Sequence, residues 1–334
     1  MLTSLATTSA RPRPAYRVFA ATAARVVHLG STFTRVSFTG DDLADFGTAG
    51  FDQRIKLVFP HPATGFEDFP RSEDWYQLWR ELPAARQNAF RTYTVRHVRP
   101  DVREVDVEFA LHGDHGPATR WASRVRVGDP ILIIGPDERS PDRTVGIDFR
   151  PGSVERLLIA GDETAAPAIC AILEQVPRNT RGIALIDVPH ATDALVVNAP
   201  VNMTVRWLAR RPGEVSGDQL IPAVRDWVAR ACCPQGCHSG TTCRIDRALA
   251  VARNETAGAD APLGDVPFED VPLGDAPLWD VPAGRSLDGE LYAWLAGESS
   301  VITTLRRFLV REAGLDRRQV AFMGYWRRGR AESE

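Results

Sequence analysis

Arg91-Thr92-Tyr93-Thr94-Val95-Arg96 is the stretch on which the reading of this chain turns. Its β-branched and aromatic residues mark a short strand, with two guanidinium groups facing away from them. An aromatic ring can stack on a planar heterocycle, a hydroxyl can hydrogen-bond a ring nitrogen, and an arginine can fork onto a phosphate. Together they suit a flat, anionic cofactor. Alone, the hexapeptide reads equally well as an edge strand with solvated arginines. Its surroundings decide.

Working outward, residues 16–20, 24–29, 34–39 and 54–59 are strand-like and are broken by Gly30, Gly40 and Gly50. Downstream, 105–112 alternates as Val105, Val107, Phe109 and Leu111, and 131–134 is a buried strand ending at Gly135-Pro136. Short strands at this spacing predict an antiparallel β-barrel over 15–150, with 1–14 a disordered tail and 61–89 a surface excursion. After the strand at 105–112 the sequence runs His112-Gly113-Asp114-His115-Gly116-Pro117-Ala118-Thr119. Two glycines and a proline lead there into a helix start, where free N–H groups backed by the helix dipole make a phosphate cradle. A helix simply capped after a turn is the alternative.

Beyond Gly152 the pattern changes. Continuous apolar strands at 156–161, 182–188, 204–208, 291–297 and 320–326 alternate with helices at 165–175 and 300–313. This predicts a parallel-sheet α/β domain over 151–331, covered on both faces. Ligands on such sheets sit at the carboxyl ends of the strands, where Asp162, Glu163, Thr164, Gly297 and Glu298 fall. No G-x-G-x-x-G is present, and ordinary helix capping also accounts for these loops.

An insertion at 229–285 interrupts that domain. Its first half holds Cys232, Cys233, Cys237 and Cys243 with His238 among them. Ligands this soft suit zinc or an iron–sulfur cluster, but the spacing lacks the paired C-x2-C of the usual zinc sites; loop thiols without metal are expected. Its second half repeats every five residues, from Asp260-Ala261-Pro262-Leu263-Gly264 to Asp280-Val281-Pro282-Ala283-Gly284. A proline in every unit prevents a helix, so an extended loop is expected, with Trp279 marking the return to the domain.

At 334 residues the chain accommodates two cores, and 44% hydrophobic with 25% charged residues is a globular composition. A net charge of −3 offers nucleic acid no electrostatic footprint. No apolar run reaches the length of a membrane span, and the first fifteen residues lack the pattern of a signal peptide, so a cytoplasmic location is expected. Of 40 basic side chains only Lys56 is lysine. In an arginine-biased chain, a surviving lysine marks a place where a guanidinium does not serve equally well.

These motifs resemble the siderophore-interacting proteins, flavin-dependent ferric-siderophore reductases of the ferredoxin–NADP reductase superfamily. The matching pieces are Arg-x-Tyr-Thr-x-Arg at 91–96, His-Gly-x-x-Gly-Pro-Ala at 112–118, Ala-Gly-Asp-Glu-Thr-Ala at 160–165, Trp-Leu-Ala-Gly-Glu at 294–298 and Gly-Tyr-Trp-Arg-Arg-Gly at 324–329. The resemblance implies an FAD barrel followed by an NAD(P)H-type domain. Arg91, Tyr93, Thr94, Arg96, His112, Gly116, Pro117, Ala118 and Thr119 are then FAD contacts. Asp162, Glu163, Thr164, Gly297 and Glu298 lie towards NADPH or NADH, and Lys56, Arg139, Arg327 and Arg328 are candidate contacts for an anionic ferric siderophore. No protein acid or base is required, because the flavin mediates the oxidoreductase chemistry. A reduced ferredoxin is the alternative donor. Competing functions are a siderophore-binding or trafficking protein without turnover and a same-fold oxidoreductase with another acceptor, such as a quinone or a flavin.

Overall fold

Strands that alternate apolar and polar residues over 16–136 close on one another in the computed structural model, which describes residues 13–111, 116–232, 279–281 and 291–329. His112, Cys233, Cys237, Cys243 and the repeat up to Leu278 lie outside the described residues, and Cys232 is described only as backbone. The described chain divides into two compact units, one ending at Asp148 and one beginning at Phe149.

In the first unit six strands form a closed barrel: β1 (Tyr16–Leu29), β2 (Phe33–Thr39), β3 (Arg54–Val58), β4 (Phe90–Arg99), β5 (Glu104–Ala110) and β6 (Pro130–Pro136). Their order is β1-β2-β5-β4-β3-β6, and every pairing is antiparallel. Closure leaves no sheet edge to template aggregation. Where two short strands were expected at 16–29 there is one long one. Its first half pairs with β6 and its second with β2, and a register shift between Ala23 and Arg25 bends it from one neighbour to the other. Phe19, Val36, Phe38, Leu57, Val107 and Phe109 fill the interior.

The excursion at 61–89 is more than surface. It carries helix α1 (Trp75–Glu81), and Phe69 and Trp79 pack with Val58, Phe90, Leu132 and Ile134 of the barrel wall. These strands present apolar residues outward as well as inward, so the wall needs a cover. Asn88 fastens it by donating to the carbonyls of Phe59 (2.9 Å) and Gly65 (2.7 Å). A short helix α2 (Pro117–Ala122) buries Ala118 and Ala122 in the barrel interior.

The second unit is a six-stranded sheet of β7 (Arg156–Gly161), β8 (Arg181–Val188), β9 (Met203–Ala209), β10 (Trp279–Asp280), β11 (Tyr292–Glu298) and β12 (Val320–Trp326). The order is β10-β12-β11-β7-β8-β9, parallel throughout except for β10, which runs antiparallel along β12. Helices α3 (Ala166–Gln175), α4 (Leu220–Cys232) and α5 (Ser299–Arg307) accompany it. Leu220, Val224 and Val228 of α4 join Leu158, Leu185 and Leu295 in one core.

Helix α4 was not expected from the sequence. Pro222 near its start hides it, although proline costs little in a first turn, where no intrahelical donor is lost. The helix expected at 300–313 is regular only to Arg307. A wider turn follows over Phe308–Glu312, closed by the Ala313 N–H donating to the Phe308 carbonyl at 2.8 Å. No helix among the described residues is long and apolar enough to cross a membrane.

Candidate functional site

Strand β4 lies between β3 and β5, so the motif strand is not an edge. Arg91 is opposite Leu57 and Tyr93 opposite Ile55, whereas Thr92 is opposite Lys56 and Thr94 opposite Arg54. Leu57 and Ile55 belong to the interior core. Arg91 therefore shares the face of Tyr93, which corrects the expectation that the guanidinium turns away from the ring. Residues two apart on a strand point the same way.

The Tyr93 ring packs 4.6 Å from Phe109 at 52°, and Phe109 lies 5.9 Å from Trp121 of α2. This aromatic chain joins the motif strand and α2, through the last turn of that helix, in one cluster. Phe109 was read only as a core residue. Gly116 precedes the helix at φ +111, a conformation that L side chains rarely adopt, and a Cβ there would meet no atom within 4 Å. No side chain caps the helix, and Pro117 occupies its first turn. Open space at the Gly116 turn, with first-turn N–H groups on a helix tied through Trp121 and Phe109 to the strand face that Arg91 and Tyr93 share, is a donor set that fits the diphosphate and ring system of FAD.

Thr94 is buried opposite Arg54, whose Nη2 is 3.0 Å from Asp148. Arg96 is only 3% exposed, and its Nε lies 3.4 Å from Glu108, which also accepts from Arg35 Nε at 3.0 Å. The register shift between Val95 and His97 turns this guanidinium into the barrel wall, within a charge cluster of the scaffold.

Lys56 sits on the other side of the strand from Tyr93. Its Nζ donates to Thr92 Oγ1 at 3.3 Å and stands 5.1 Å from the centre of the Phe90 ring, against the aromatic cover of α1. Arg139 is exposed beyond β6 and pairs with Asp45 at 2.5 Å. Arg327 and Arg328 follow β12, and the Arg328 N–H donates to Glu298 Oε1 at 3.2 Å.

At the carboxyl ends of the parallel strands the acidic side chains turn inward. Asp162, 1% exposed, accepts from the N–H groups of Thr164 (2.9 Å) and Glu298 (2.8 Å) and from Trp326 Nε1 (2.8 Å). Gly297, at φ +146, lets the backbone approach this carboxylate; a Cβ would lie 2.6 Å from Asp162 Oδ2. Glu298 caps α5 by accepting from the N–H groups of Ser300 (2.8 Å) and Val301 (3.1 Å). Burial opposes its charge, but these bonds and the one from the Ser300 hydroxyl hold its carboxyl below the usual range. Glu163 pairs with Arg210, which also donates from Nε to Asp187 at 2.8 Å. Sequence reasoning did not find this triad.

Burial, followed by the neighbouring Asp162 charge, pushes Glu163 up from 4.5 to about 7 despite Arg210. Its folded-state pKa thus exceeds the unfolded one, so the folded chain takes up a proton between about pH 4.5 and 7. Compared with Glu163→Gln, the native chain should gain up to about 3 kcal/mol of stability as pH falls through that window. Urea unfolding of both proteins at each end of the window measures this. A difference that stays constant with pH identifies Glu163 as a permanently ionised partner of Arg210.

The siderophore-interacting FAD-binding domain family matches residues 22–140, and the siderophore-interacting protein family matches 154–329. The ferric vibriobactin reductase ViuB of Vibrio cholerae is 26% identical over 308 residues, covering 92% of this chain and 89% of that protein. The crystal structure of a siderophore utilization protein from T. fusca superposes with a TM-score of 0.63 at 25% identity, covering 96% of this chain and 97% of that one. A ferredoxin reductase in carbazole 1,9a-dioxygenase shares the fold at 14% identity, with a TM-score of 0.50 over 93% of this chain and 70% of its own.

Proposed function

This chain belongs to the siderophore-interacting protein family, and from that premise we propose that it reduces ferric siderophores with FAD and electrons from NAD(P)H. The observation that carries the reading is the Tyr93–Phe109–Trp121 chain of rings, which ties the Arg91/Tyr93 face to α2, the helix that the Gly116 turn opens. Bound FAD supplies the chemistry, accepting a hydride and passing on electrons singly. Arg91 and the first-turn N–H groups of Ala118 and Thr119 hold the phosphates, and Tyr93 offers its ring to the flavin. Buried Thr94 contributes a hydroxyl.

A siderophore binds Fe(III) through hard oxygen ligands and Fe(II) far more weakly, so reduction releases the metal. No protein nucleophile or general base is needed. Lys56 draws the anionic chelate toward the barrel wall, and Arg139, Arg327 and Arg328 add positive charge. The loops tied by Asp162 and Glu298 are the proposed approach of the nicotinamide. Arg210 is committed to Glu163 and Asp187, whereas its neighbour Arg211 is exposed, with Glu214 at 3.5 Å beside it, and is the guanidinium offered to a nucleotide phosphate. Reduced ferredoxin is the other candidate donor.

The test is purification with flavin identified by chromatography, then trapping of Fe(II) from a ferric siderophore with NADH, NADPH or reduced ferredoxin. Turnover with any of these donors supports reductase activity and identifies the donor. Yellow protein that binds the chelate without releasing Fe(II) is a binding protein. Turnover of quinones but not of the chelate makes it a reductase of another acceptor. In the same assay Lys56→Ala should raise KM for the chelate about tenfold, a loss near 1.4 kcal/mol, with flavin content unchanged. An unchanged KM removes Lys56 from the chelate site.

A further inference from the structure

The outer edge of β12 carries the one described piece of the period-five segment. Trp279 pairs with Met323 and Asp280 with Phe322. Main-chain pairing of two residues reads no sequence; side chains must set which two residues lie there. The Asp280 carboxylate accepts from Arg306 (3.2 Å) and Arg317 (2.9 Å), and the Arg306 guanidinium also lies 5.8 Å from the Phe322 ring. The Trp279 ring stacks on Tyr325 at 5.9 Å and 17°.

Of these two anchors, one recurs and one does not. An aspartate followed by Val or Ala and then Pro occurs at 260, 265, 270, 275 and 280, whereas the preceding residue is Ala259, Gly264, Glu269, Gly274 and only then Trp279. Proline two positions after each aspartate limits every unit to the same short pairing.

We propose that the β12 edge with Arg306 and Arg317 is a docking slot for an Asp-x-Pro segment, that the upstream units of this same chain are equivalent occupants, and that Trp279 alone selects the fifth. A shift by one unit restores the same carboxylate between the same two guanidinium groups. It takes five residues from the connection on one side of the slot and adds them to the other. The loss falls on Trp279, whose stack on Tyr325 is given up. The segment is thereby a connection of adjustable length, with a ring as its stop.

The slot is tested in the full chain by amide exchange over residues 320–325 and by iodide quenching of tryptophan, with Trp279→Phe identifying the contribution of that ring. For Asp280→Ala, exchange should stay within about threefold of native because another unit moves in, while Trp279, already 36% exposed where it stacks on Tyr325, becomes more strongly quenched. Exchange faster by tenfold or more shows that the slot reads only the fifth unit and overturns the proposal. Native exchange with Trp279 quenching unchanged overturns it too, since ring and backbone then hold the register without the aspartate. Gly274→Trp combined with Trp279→Gly and Asp280→Ala moves the ring one unit upstream. Native exchange with a tryptophan at 274 quenched no more than native Trp279 is expected, and one quenched as strongly as a free indole overturns the proposal whatever the single variant does.

Discussion

Asp162→Ala is expected to destabilise the sheet unit by about 3–5 kcal/mol and to lower its melting temperature by on the order of 10 °C. The carboxylate, 1% exposed, accepts from Thr164, Glu298 and Trp326, residues from three separate parts of the chain. Alanine leaves those donors without an acceptor, and an unsatisfied buried donor costs about 1–3 kcal/mol. Asp162→Asn keeps one acceptor oxygen and should lose roughly half as much. Thermal unfolding of the three proteins followed by near-UV circular dichroism distinguishes them. Coincident melts for the native and alanine forms would assign the joining of these loops to packing alone.

Trp79→Ala should cost the barrel unit about 3–5 kcal/mol, the range for deleting a buried aromatic side chain. Trp79 is 3% exposed, packs 4.9 Å from Phe90 edge to face, and donates from Nε1 to the Asn88 carbonyl at 3.0 Å. Its loss leaves a cavity over the outer wall of β3, β4 and β6. Trp79→Phe restores the ring contact without the donor and should recover more than half of the difference. Denaturant unfolding measures both. A deficit below about 1 kcal/mol for the alanine form would return residues 61–89 to the status of a loose surface loop.

The contrast between these two sites shows where the sequence was legible. Strands β2 to β5 announce themselves through alternation punctuated by glycine, and β6, β7, β11 and β12 through unbroken apolar runs, because local burial dictates local composition. The Arg91–Arg96 motif was legible for the same reason: its ring, hydroxyl and cations are adjacent in the text. The burial of Arg96 was not, since it depends on a register shift that only the pairing with β5 creates.

Arg210, Glu163 and Asp187 were also out of reach, being joined across 47 and 23 positions without a shared pattern. The cover of the outer barrel wall had a visible sign that was passed over: Trp75, Tyr76 and Trp79 recur at helical spacing. Likewise, Leu220, Val224 and Val228 lie four apart, a signal masked by the proline among them.

The strand order of the second sheet has a consequence for the newly made chain. Strand β7 is flanked by β8 and β11, and β11 is separated from β9 by the whole insertion. As the chain leaves the ribosome, β7, β8 and β9 emerge together, yet the far side of Leu157–Gly161 waits for a partner until residue 298 has been made. At about 5–20 residues per second, that apolar edge stays open for several seconds to tens of seconds. The barrel has all its strands by Pro136 and meets no such delay. Between β9 and β11 the chain emits a run of aspartates and prolines, which limit any strand pairing to two-residue pieces, so the text that delays closure adds no long competing strand to the waiting edge.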